Sequence, residues 1–86
     1  MLEELNGRQV VIDVQAQYVY VGRLEAISPT SVLLVDVDVH DLRDSNTTRE
    51  RYVLDTKLDG IRANRRRVYV QQSQIVSISA LDDILE

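Results

Sequence analysis

The feature that most constrains this chain is an alternation of apolar residues interrupted by single glycines near its start. Val10, Ile12, Val14 and Ala16 fall on one side of an extended segment, and Val11, Asp13, Gln15 and Gln17 on the other. That period of two predicts a half-buried strand over 10–16. Tyr18 to Ile27 reads as a second strand with Gly22 in its interior. A glycine there marks a bulge, a sharp bend or a close backbone approach. Ser28-Pro29-Thr30 is a turn, and Val32 to His40 is the longest clean strand. Strict alternation predicts Leu33, Val35, Val37 and Val39 on one face of it, with Leu34, Asp36, Asp38 and His40 on the other.

The second half is more mixed. Residues 41–48 are polar and irregular. Thr47-x-x-Glu50 has the form of a capping box, predicting a helix over 48–58 with Leu54 and Leu58 on its apolar stripe. Gly60 is the stop signal, and Ile61 suits the apolar contact that closes such an end. Tyr52-Val53-Leu54 is also compatible with an extension of a strand. Residues 66–71 and 74–79 read as two further strands around a turn at Gln72-Ser73. An acidic tail over 80–86 keeps enough apolar residues to dock. Five short strands joined by local turns predict a mainly β small barrel or sandwich in one domain, 1–86. A short N-terminal helical turn and a helical insert at about 40–66, between strands three and four, complete it.

Composition narrows the function. With no cysteine, disulfides and thiolate metal sites are excluded. No apolar run is long enough to span a membrane, and the acidic Met1-Leu2-Glu3-Glu4 start lacks the apolar stretch of a signal peptide. A cytoplasmic location is the expectation. The net charge of −4 argues against non-specific DNA binding, although eight of the ten basic residues lie between Arg43 and Arg67.

In order and in register, Leu5-x-Gly7-x-x-Val10-x-Ile12-x-Val14, Tyr20-x-Gly22-x-Leu24, Leu33-Leu34-Val35-Asp36 and the segment Val70 to Ile78 resemble the two motifs of the Sm/LSm family. The resemblance covers about 5–36 and 68–78. It implies an N-terminal helix followed by a strongly bent five-stranded antiparallel small barrel. It also implies that the fourth and fifth strands pair with neighbouring protomers to close a homo-oligomeric ring of about five to seven subunits. Single-stranded RNA is the partner it suggests. The family's RNA pocket is not matched, however. Ser28, Ser31 and Val32 stand where an acidic residue, an aromatic or Met, and an Asn are expected, and Gln71-Gln72 replaces an Arg-Gly pair.

Four groups remain as candidates. Asp36, Asp38 and His40 offer oxygen and nitrogen donors on one strand face and form a weak metal candidate. The simpler reading is a solvated face, because i, i+2 side chains sit ~7 Å apart; no metal and no cofactor are expected. Arg62, Arg65, Arg66 and Arg67 form a basic cluster suited to phosphate or carboxylate. No aromatic falls within it, so base stacking is not evident. Ion pairing between subunits with Asp36, Asp38, Asp41, Asp44 or Asp82-Asp83 is the competing reading. Gln71 and Gln72 are pore-facing candidates for RNA, against an ordinary tight turn. The tyrosines read as core edges or subunit contacts. A single histidine without a nucleophile beside it predicts no enzyme. Two functions therefore stand open: RNA binding through a modified basic and polar site, or a scaffolding ring that binds another protein.

Overall fold

A computed structural model describes residues 1–44 and 46–86. Ser45, in the polar stretch read as irregular, lies outside the described residues. A 3-10 turn at Leu2–Leu5 leads into β1 (Gln9–Val14), β2 (Tyr18–Ile27) and β3 (Ser31–Asp41). Helix α1 (Arg49–Asp59) follows, then β4 (Arg65–Gln71), a 3-10 turn at Gln72–Gln74, β5 (Ile75–Ala80) and a last 3-10 turn at Leu81–Asp83. The five strands form one antiparallel sheet in the order β4-β3-β2-β1-β5. The sheet is strongly curved but not closed by hydrogen bonds, so β4 and β5 are its two edges.

The curvature originates where β2 meets β3. Val21 lies opposite Asp38 and Arg23 opposite Val35, so Gly22 faces two residues, Asp36 and Val37. This bulge is held by Asp36, a non-glycine residue at φ 50°. A Cβ on Gly22 would meet Val37 Cγ2 at 3.0 Å and the Val35 carbonyl oxygen at 3.2 Å. The missing side chain is what lets the two backbones approach.

The bulge corrects the expected phase of β3. Val32 and Leu34 share the core with Val37 and Val39, because the inward set changes from even to odd positions across Asp36. Leu33 and Val35 are left on the opposite face. The main core comprises Val10, Ile12, Leu24, Val32, Leu34, Val37 and Val70, capped by Leu2 and Leu5 of the N-terminal turn. At about 25 cal/mol per Å² of apolar surface, burial of these side chains is the main stabilising term.

β1 is buried on both faces, where a half-buried strand was expected: Val11 is only 3% exposed. Its far side, with Val19 and Val21, is covered by Val53 of α1 and Leu81 of the tail, with Tyr52, Ile61 and Ile84 packed around them. The helix exists as predicted, but its buried side is Val53 and Thr56, while Leu58 is 59% exposed. It begins one residue later than the Thr47-x-x-Glu50 box predicts. Thr48 is the N-cap, and its Oγ1 accepts from the Arg51 amide at 3.2 Å. Gly60, at φ 93°, ends the helix with its amide on the Thr56 carbonyl at 2.8 Å. Arg49 pairs with Asp13, and Lys57 Nζ donates to the Ile84 carbonyl at 2.6 Å, tying both helix ends down.

A Gly22→Ala variant should lose about 1–3 kcal/mol of stability from overpacking against Val37. The check is a lowered urea midpoint with an unchanged slope in chemical unfolding.

Candidate nucleic-acid interface

β4 sets the geometry of the site. Val68 and Val70 point into the main core, opposite Leu34 and Val32. The alternate residues Arg67, Tyr69 and Gln71 therefore lie on the other face, opposite Val35, Leu33 and Ser31. That face is not covered by α1, and Tyr69 is 62% exposed. A guanidinium, a phenol ring and an amide thus succeed one another at ~7 Å intervals along an open strand. In linear sequence no aromatic interrupts the arginines; on the folded strand Tyr69 is the next side chain after Arg67. Counting positions by twos was the available signal.

Arg62, Arg65, Arg66 and Arg67 are all exposed. Among the described residues none of the four makes an ion pair; the Arg65 guanidinium donates to the Asn64 carbonyl at 3.1 Å. Three of the acids considered as their partners are already engaged within the chain. Asp36 lies 3.9 Å from Arg23. Asp38 accepts from the Tyr52 hydroxyl and from Asn64 Nδ2. Asp41 accepts from Arg43 Nε at 3.0 Å, and this contact holds its carboxyl below the usual carboxylate range. Asp82 and Asp83 remain exposed.

Gln71 and Gln72 separate in role. The Gln72 amide N–H donates to the Thr30 carbonyl at 2.9 Å, and its side-chain Nε2 donates to the Ser28 carbonyl. This clasps the β4–β5 turn to the β2–β3 turn. Gln71 is exposed, with its side chain on the Tyr69 face. Beside the end of β4 lies an open cavity of about 180 Å³, lined by Val14, Ala16, Tyr20, Tyr69, Val70, Gln71 and Gln74.

Asp36, Asp38 and His40 do not converge. The bulge turns Asp36 away, and its side chain is 69% exposed. Asp38 is held by Tyr52 and Asn64, and His40 stacks flat on Tyr52 with ring centroids 3.9 Å apart and an interplanar angle of 6°. Among the described residues, no group of three or more histidine, aspartate or glutamate side chains could hold a metal ion. Asn64 also donates to the Val39 carbonyl and accepts from the Val39 amide, both at 3.0 Å. It continues the β3 ladder just ahead of β4. The pair Asp38–Tyr52 therefore docks the helix to the sheet.

The architecture is Sm-like. It is similar to an Sm protein from Pyrococcus abyssii, solved in complex with a uridine heptamer, at a TM-score of 0.63 and 14% identity. The likeness covers 92% of this chain and 90% of that one. No family model matches the sequence, and no curated protein matches it. Among the described residues no helix is long and apolar enough to cross a membrane.

Burial, and then the hydrogen bond to Asp38, pushes the Tyr52 phenol above its ordinary pKa. A raised pKa means stability that is complete at neutral pH and lost as pH rises past the unfolded value of about 10. Tyr52→Phe should cost about 1–2 kcal/mol at pH 7. It should also flatten the alkaline fall in stability, measured by denaturant unfolding across pH.

Proposed function

We propose that this chain is a non-catalytic Sm-like protein that closes into a homo-oligomeric ring and holds single-stranded RNA. The observation that carries the reading is the uncovered row Arg67–Tyr69–Gln71 on an edge strand of an Sm-like sheet. Such a row meets a nucleotide in three ways. The guanidinium neutralises phosphate, the phenol ring stacks on a base, and the amide hydrogen-bonds a base edge. Arg62, Arg65 and Arg66 add positive potential around it, which the net charge of −4 conceals. The likeness to an Sm protein in complex with a uridine heptamer supports the same class of ligand.

Ring closure follows from the edges. β4 and β5 each present unpaired backbone donors and acceptors, and exposed edges of this kind need a partner. Pairing β4 of one copy with β5 of the next is head-to-tail, so repetition closes a ring of about five to seven copies, the number the resemblance implies. Gln72 contributes by shape, fixing the turn between the two edge strands, while Gln71 is the direct contact.

Purified protein should show a ring-sized mass by light scattering. It should also bind U-rich or A-rich oligonucleotides at low salt, with affinity falling steeply as salt is added. Tyr69→Ala should weaken binding by the about 1–3 kcal/mol of one stacked base. Arg67→Glu should weaken it and flatten the salt slope by roughly 0.7. A monomer at micromolar concentration rejects the ring. An absence of binding at low salt, together with a copurifying protein, turns the reading to a scaffolding ring.

A further inference from the structure

Asp82 and Asp83 raise a question that the RNA reading leaves open. They are exposed, they follow directly on edge strand β5, and their turn is pinned by Leu81, which is 3% exposed. Among the described residues neither makes an ion pair. Arg62 and Arg65, equally without acidic partners, flank the start of the other edge strand. Within one chain the two sets sit at opposite edges of the sheet, with β3, β2 and β1 between them.

Two copies bring them together. In an antiparallel pairing, the start of β4 lies beside the end of β5 from the next copy. The faces then restrict the register to alternate offsets, because a one-residue slip exchanges inward and outward side chains. Val68 and Val70 are inward on β4, while Ile78 and Ala80 are inward on β5, opposite Ile12 and Val10. One such offset sets Val68 against Ile78, Arg66 against Ala80 and Arg67 against Ser79, and the bulge at Val76 makes Ile75 the next inward residue of β5. At that end of the junction Arg62 and Arg65 lie on the same side as the 3-10 turn that carries Asp82 and Asp83.

From this we infer that Arg62 and Arg65 of one copy form a charge latch with Asp82 and Asp83 of the next. The inference rests on the ring reading and assigns part of the basic cluster to assembly instead of RNA. The backbone ladder and the matched apolar residues supply most of the association energy, since exposed ion pairs add little individually. The latch contributes orientation. Only a β4-to-β5 junction matches the charges, while β4-to-β4 or β5-to-β5 pairing leaves them unmatched, so the charges favour the head-to-tail contact that closes.

The natural chain has no cysteine, so engineered cysteines give a clean readout. Arg67→Cys with Ser79→Cys, oxidised and run without reductant, should give a ladder of covalent multimers. A product that stays monomeric contradicts the register. Asp82→Lys with Asp83→Lys should raise the concentration at which the ring dissociates on dilution on the order of tenfold. Arg62→Glu with Arg65→Glu should do the same. Combining all four changes should restore the wild-type midpoint, which excludes misfolding as the cause of the loss. A wild-type monomer overturns the ring reading and the latch together. A wild-type ring unmoved by either reversal, including one in which only RNA affinity falls, overturns the latch and leaves the ring standing.

Discussion

The close approach of β2 and β3 at Gly22 is the constraint from which the other features follow. A Cβ on Gly22 would crowd Val37 Cγ2 at 3.0 Å, and Asp36 takes up the extra residue by adopting a positive φ. The sheet can therefore curl tightly enough for its inner face to enclose a core without phenylalanine or tryptophan. The same bulge reverses the phase of β3. Leu34 and Val37 both point inward, and Asp36 is turned out to solvent. Without that reversal Asp36, Asp38 and His40 would share a face. With it, Asp38 and His40 become the landing site for Tyr52.

Helix α1 makes a second, smaller core on the other side of the sheet. A chain of 86 residues has little surface to bury, and covering β1 on both faces increases what it can bury. The helix is fastened by different chemistry along its length. Arg49 meets Asp13, Tyr52 meets Asp38, Val53 packs on Val11, Val19 and Val21, and Lys57 holds the Ile84 carbonyl. The acidic tail is drawn in by the same cluster, which fixes the turn carrying Asp82 and Asp83. Because α1 covers the β1 side, the β4 side stays open. The arrangement of the helix thus leaves Arg67, Tyr69 and Gln71 uncovered.

Much of the fold was legible because alternation and glycine punctuation are local signals. The span of β2, the helix with its Gly60 stop, and the five-strand count follow from residues adjacent in sequence. The errors share one cause. Val11 looked half-exposed because nothing local says that Val53 and Leu81 will cover it. Leu54 and Leu58 looked like the buried stripe, but the sheet selects Val53 and Thr56. Asp36, Asp38 and His40 read as one solvated face because alternation was extended through the bulge at Asp36, which shows only in the pairing of β3 with β2.

The sequence by itself determined the strands, the glycine interrupting β2 and the clustering of arginines ahead of β4, since each depends on neighbours along the chain. It also carried the alternation that puts Tyr69 on the Arg67 face. Only the tertiary structure decided which acids were consumed, by Arg23, Tyr52 with Asn64, and Arg43, and hence which charges were left over. Partnering is a property of space: Asp38 and Tyr52 are fourteen positions apart, yet share a hydrogen bond. Two unpaired edges with their inward faces and leftover charges exist only once the sheet has curled and stopped short of closing.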